Sequence, residues 1–146
     1  MNTLLAYIDY YLGADGNTIR ISTRSREWVM WFKENVESML DGNIGDFDIC
    51  KMFVIKRFNS INSFALIRSN DRNASCISSK RMNGGNHFEW KLNIEGLRTI
   101  VDLVDGLLNS NEAGHQYFEG VDQNFIVEFS YNEDSAERFE KLMESV

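Results

Sequence analysis

Apolar residues recur at helical spacing in three stretches of the chain and alternate with polar residues through most of the rest. The first helical stretch is Arg26–Leu40, where Trp28, Trp31, Phe32, Val36, Met39 and Leu40 fall on one face. Ser25 is placed to cap its start and Gly42 to stop it. The second covers residues 94–108 behind Asn93 as N-cap, with Leu97, Ile100, Val101, Val104, Leu107 and Leu108 as its stripe. Gly106 weakens its last turn. The third is C-terminal: Asp134 and Glu137 have capping-box spacing, and Phe139, Leu142, Met143 and Val146 form its apolar face.

The alternating segments predict strands. Leu4, Ala6, Ile8, Tyr10 and Leu12 share a face, and turn residues Ala14, Asp15 and Gly16 lead to a partner strand through Ile19, Ile21 and Thr23. Segments 47–58 and 63–68 read as a second hairpin. Segment 74–82 leads through Asn83, Gly84 and Gly85 into Phe88, Trp90 and Leu92, and segments 114–119 and 124–131 form a last hairpin. In that hairpin Phe125, Val127, Phe129 and Tyr131 share one face, and Ile126, Glu128 and Ser130 the other. Strands cluster as neighbours instead of alternating with helices. The expected fold is α+β: a mainly antiparallel sheet of hairpins packed against about three helices, with the first two helices on one face.

Composition sets outer limits. A chain of 146 residues with 43% hydrophobic content is one domain's worth, expected to span 1–146 and to fold without disulfides or metal. The N-terminus has no basic region before its apolar run, and no apolar run is long enough to cross a membrane. A cytoplasmic protein is expected, with Cys50 and Cys76 reduced. There is no proline, so turns rely on Gly, Asn and Asp.

No motif announces catalysis. His87 and His115 are the only histidines, and neither has a second His or Cys at metal-ligand spacing. A zinc site would have to assemble from scattered residues, so no metal and no cofactor are expected. The serine-rich segment 74–79 lacks the glycines of a nucleophile elbow, and Asn83-Gly84-Gly85 lacks the Lys-Ser/Thr of a phosphate loop.

Charge changes the picture. Residues 1–50 carry eight acids and four bases, residues 51–100 three acids and nine bases, and residues 101–146 eleven acids and two bases. The basic middle includes Lys51, Lys56, Arg57, Arg68, Arg72, Lys80 and Arg81, but a net charge of −7 argues against a nucleic-acid partner. The acidic third is suited to a basic protein partner. Its candidate contact residues are Asp102, Asp105, Glu112, Glu119, Asp122 and Glu128, with Tyr117 as an aromatic anchor.

The C-terminal half carries a further pattern: Phe88-Glu89-Trp90-Lys91-Leu92, then Glu95-Gly96-Leu97, then Gly114-His115-Gln116-Tyr117-Phe118, then Phe125 to Ser130. Across residues 85–132 it resembles the immunity proteins of bacterial polymorphic and contact-dependent growth-inhibition toxins. The resemblance implies a non-enzymatic protein that binds a cognate toxin domain, a basic nuclease fitting the acidic surface, with no cofactor. Gly114 can take a positive φ where the strand begins, and His115 and Tyr117 then share a face. The preferred role of His115 is structural. Two alternatives stay open: a small enzyme using His115 with a carboxylate such as Glu128, and a nucleic-acid or small-ligand module using the basic strands.

Overall fold

The computed structural model describes residues 5–13, 16–51, 55–59, 61–71, 75–82, 84–110, 114–117 and 125–144. The helices are α1 (Arg26–Leu40), α2 (Ile94–Asn109) and α3 (Ala136–Glu144). The strands are β1 (Ala6–Gly13), β2 (Gly16–Thr23), β3 (Asp46–Asp48), β4 (Ile55–Arg57), β5 (Ile61–Arg68), β6 (Ser75–Met82), β7 (Gly85–Leu92), β8 (Gly114–Tyr117) and β9 (Phe125–Tyr131). The class is α+β, as the sequence pattern implies, but the strands form two mixed sheets instead of a mainly antiparallel one. One sheet runs β4-β1-β2-β9-β8 and the other β3-β5-β7-β6.

Among the described residues three pairings are parallel: β1 with β4, β2 with β9 and β5 with β7. They arise because strands insert beside partners far away in sequence. The β1–β2 hairpin forms as expected, yet its free side is taken by β9, with Ile19 opposite Val127 and Ile21 opposite Phe129. The expected 47–58 strand does not exist as one element. Asp48 ends β3, its carboxylate accepting from the backbone N–H groups of Cys50 at 2.9 Å and Phe64 at 2.9 Å. A single 3-10 turn at Ile49–Lys51 follows, and β4 then joins the other sheet. Only the start of the segment meets the expectation: β3 pairs antiparallel with β5, Phe47 opposite Leu66, while β4 does not.

The two long helices start where their caps predict. Ser25 Oγ accepts from the Trp28 N–H at 3.2 Å and Asn93 Oδ1 from the Gly96 N–H at 2.8 Å. Gly42 follows α1 with φ +79°, and Arg68 Nη1 donates to the carbonyls of Met39 at 2.7 Å and Leu40 at 3.2 Å. These bonds add side-chain donors at the helix end, where the Gly42 N–H also reaches the Met39 carbonyl at 3.2 Å.

On α2, Leu97, Ile100, Val104, Leu107 and Leu108 are buried and Val101 is half-buried. Trp28 and Phe32 of α1 stack at 6.0 Å, and Phe32 lies 5.1 Å from Phe129 of the five-stranded sheet and 6.0 Å from Phe47 of the other. Phe88 of β7 touches Tyr10 at 5.2 Å and Phe125 at 5.8 Å, so the sheets also meet directly. One apolar core thus draws on both sheets and on α1 and α2.

The third helix departs from expectation. Its cap is Ser135, whose Oγ accepts from the Arg138 N–H at 3.1 Å; Asp134 is turned inward and is buried. Phe139 packs 6.0 Å from Tyr7, whose strand neighbours Ala6 and Ile8 point into the core instead. Helix α3 therefore covers the face of the five-stranded sheet opposite α1, and the helices do not all lie on one side. Lys56 Nζ donates to the carbonyls of Leu142 at 2.8 Å and Met143 at 3.2 Å near the end of α3.

Candidate functional site

Strand alternation puts polar residues on the face of the five-stranded sheet away from α1. Register assigns Lys56, Tyr7, Ser22, Ser130 and His115 to one cross-strand row, from β4 to β8. The next row is Asp9, Arg20, Glu128 and Tyr117. After β9, Asn132 takes φ +58° and donates its N–H to the Thr23 carbonyl at 3.0 Å. This turn swings Glu133 and Asp134 back toward the rows. Asn is among the residues that best tolerate that conformation.

The Asp134 end is a structural lock. Its Oδ2 accepts from Tyr7 Oη at 2.8 Å and Ser22 Oγ at 3.1 Å, while its Oδ1 lies 3.5 Å from Arg138 Nε. Arg24 donates to its backbone carbonyl. Burial pushes the Tyr7 phenol up to about 12, and the bond to Asp134 adds to that.

The other end holds chemistry-bearing groups. His115 Nδ1 lies 2.8 Å from Glu133 Oε1, which also accepts from Ser130 Oγ at 2.8 Å. Glu128 is buried, with Tyr11 Oη at 3.3 Å from one carboxylate oxygen and Arg20 Nε at 3.9 Å from the other. Arg20 Nη2 reaches Ser130 Oγ at 3.4 Å. Burial works to lower the Arg20 pKa; the surrounding Tyr7, Glu128, Asp134 and Tyr11 outweigh it and raise it. Burial also raises the Tyr11 phenol, and the Glu128 charge adds to it.

The expected site residues scatter. Asp102 is exposed on α2. Asp105 is tied to Lys33 of α1 at 2.5 Å, an ion pair that raises the lysine pKa. Tyr117 is 44% exposed on the terminal strand β8, its ring edge-on to His115 at 5.0 Å. Glu128, expected on an open polar face, is 8% exposed because neighbouring rows and the 132–134 turn enclose it. Glu112, Glu119 and Asp122 lie outside the described residues, as do Phe118 and Val146.

Gly114 does not adopt a positive φ; a Cβ there would come within 3.3 Å of Leu107 Cδ2, so its small size is what the strand start uses. Sequence reasoning missed Arg20 and Tyr11, whose place beside Glu128 depends on a long-range register. Glu133 was only one acid among eleven. Its position after the left-handed Asn132 was the local signal that could have singled it out. Away from these rows, a groove of about 540 Å³ is lined by Ser69, Asn70, Asn93, Ile94, Glu95 and Arg98.

No family model matches the chain, and neither a curated protein nor a solved structure does.

Proposed function

We propose that this protein is a non-enzymatic, toxin-neutralising protein of the immunity type, binding a basic toxin domain through the acidic surface of its C-terminal third. The observation that carries the reading is Tyr117, a 44% exposed aromatic on a terminal strand, in a segment with eleven acids and two bases. Asp102 on α2 and Glu133, Glu137, Glu140 and Glu144 in and before α3 are exposed. An aromatic anchor supplies desolvated contact area, and the surrounding negative charge accelerates encounter with a cation-rich partner. The resemblance over 85–132 supports the same reading and adds the partner's class, a nuclease domain. Asp105, held by Lys33, and the buried Glu128 contribute to the field more than to direct contact.

The test is affinity for the product of the adjacent gene, with a melting curve for each variant. Tyr117→Ala is expected to slow capture little and speed dissociation. Reversing Glu119 and Asp122 to Lys is expected to weaken binding, and added salt to slow association. Unchanged affinity after reversing Asp102, Glu112, Glu119 and Asp122 together would move the interface elsewhere. Failure of the intact protein to bind would overturn the proposal.

A second reading has one observation in its favour. His115 bonded to Glu133, with Glu128 close by, is an arrangement able to move a proton. The groove beside α2 does not include these residues. Hydrolytic activity abolished by His115→Ala would favour this reading over the first.

A further inference from the structure

We infer that His115, Glu128 and Glu133 form a binding site for a divalent transition-metal ion, with zinc as its natural occupant. One ligand atom from each side chain lies within 4.8 Å of the other two. His115 Nδ1 and Glu133 Oε1 are 2.8 Å apart. Adjacent ligands on an ion with bonds of about 2.1 Å sit about 3 Å apart, so this pair is already spaced for chelation.

A second observation concerns Glu128 itself. Its side chain is 10% exposed, yet its two contacts among the described residues are long, 3.3 Å to Tyr11 Oη and 3.9 Å to Arg20 Nε. A buried carboxylate needs close partners to offset its desolvation. Here it also lies near a second carboxylate, Glu133, whose partners among the described residues are His115 Nδ1 and Ser130 Oγ and do not include Arg20. Arg20 opposes a cation by its charge, but a dication would still meet two carboxylates. Arg20 and Tyr11 can each hold a Glu128 oxygen from behind, as outer partners of metal ligands do.

The donor set selects the metal. An imidazole nitrogen disfavours magnesium and calcium, and two carboxylates disfavour a soft monovalent ion. Zinc accepts this N/O mixture and is commonly held by three protein ligands with one position left over. His115 binds through Nδ1, so the neutral ring carries its proton on Nε2. The ion has a route in, because His115 is 40% exposed and Glu133 29%. Bound there, it would tie β8 and β9 to the turn before α3, whatever partner the protein has.

The experiment titrates the chelator-stripped full chain with zinc chloride in a calorimeter, with magnesium chloride as control. One zinc per chain is expected, with a zinc-dependent rise in melting temperature and no response to magnesium. His115→Ala and Glu133→Gln, both at exposed positions, are each expected to weaken zinc binding at least about tenfold, since even outer partners are worth that much. Glu128→Gln should do the same; if it fails to fold, the two exposed variants carry the test. Cys76→Ser, which removes an exposed thiol, should leave zinc binding unchanged. Absence of zinc binding by the intact chain, or binding that survives all three substitutions, would overturn the site.

Discussion

The hydroxyl of Tyr7 on the first strand donates a 2.8 Å hydrogen bond to the carboxylate of Asp134, in the turn before the last helix. Both residues are buried, and Ser22 shares the same carboxylate oxygen. Removing the carboxylate leaves two hydroxyls without their acceptor. Asp134→Ala is expected to cost roughly 2–4 kcal/mol, and Tyr7→Phe, which removes one donor, about 1 kcal/mol. Denaturant unfolding of both single variants and the double variant measures this. Equal costs for the two single variants would mean that the carboxylate is not the hub.

The same phenol sets an alkaline limit. An unfolded tyrosine ionises near pH 10, whereas Tyr7 in the fold is pushed up to about 12 by burial. Below pH 10 both states keep the proton and the contribution is fully present. Between pH 10 and about 12 the unfolded chain releases a proton that the fold retains, so stability falls as pH rises. Unfolding free energy measured across that range should decline less steeply in Tyr7→Phe than in the parent protein.

The two thiols should separate by reactivity. Cys76 is exposed on β6, while burial, reinforced by the Asp48 charge, pushes Cys50 up to about 12. The thiolate is the reactive form. Alkylation with iodoacetamide at pH 8.5, followed by peptide mass analysis, should label Cys76 first and leave Cys50 protected until the protein is denatured.

Leu97 is fully buried at the start of the α2 stripe. Leu97→Ala should cost about 2–5 kcal/mol, depending on how far the cavity collapses. Asp102→Ala, on the exposed face of the same helix, should change stability by no more than about 0.5 kcal/mol. A melting series of the two variants decides whether the stripe is core.

Local chemistry was legible in the sequence and distant partnership was not. Ser25 and Asn93 declare their helices because a cap acts on residues three positions ahead. Asp134 looked like a cap by the same logic, but Tyr7 and Ser22 claim its side chain, and neither is near in sequence. Ser135, next along, takes the role. The break in 47–58 had a readable cause: Asp48 bonding the N–H two residues ahead is a turn former within an apolar run. The mixed sheets had no such cue, because nothing local in β9 says that β2 is its neighbour. The candidate cluster divides in the same way. His115 and Glu128 lie on strands adjacent in sequence, so their nearness is legible there, while Arg20 depends on the β2–β9 register.

That β9 lies between β2 and β8 has a consequence for how the molecule is made. Synthesis runs from the N-terminus, so the β1–β2 hairpin emerges about a hundred residues before the strand that completes its free edge. For most of translation β2 offers an unpaired backbone edge beside Ile19 and Ile21, which need burial. The five-stranded sheet closes only once residues 125–131 have left the ribosome. A nascent chain arrested before Phe125 would therefore be a better client for a chaperone than for its own fold.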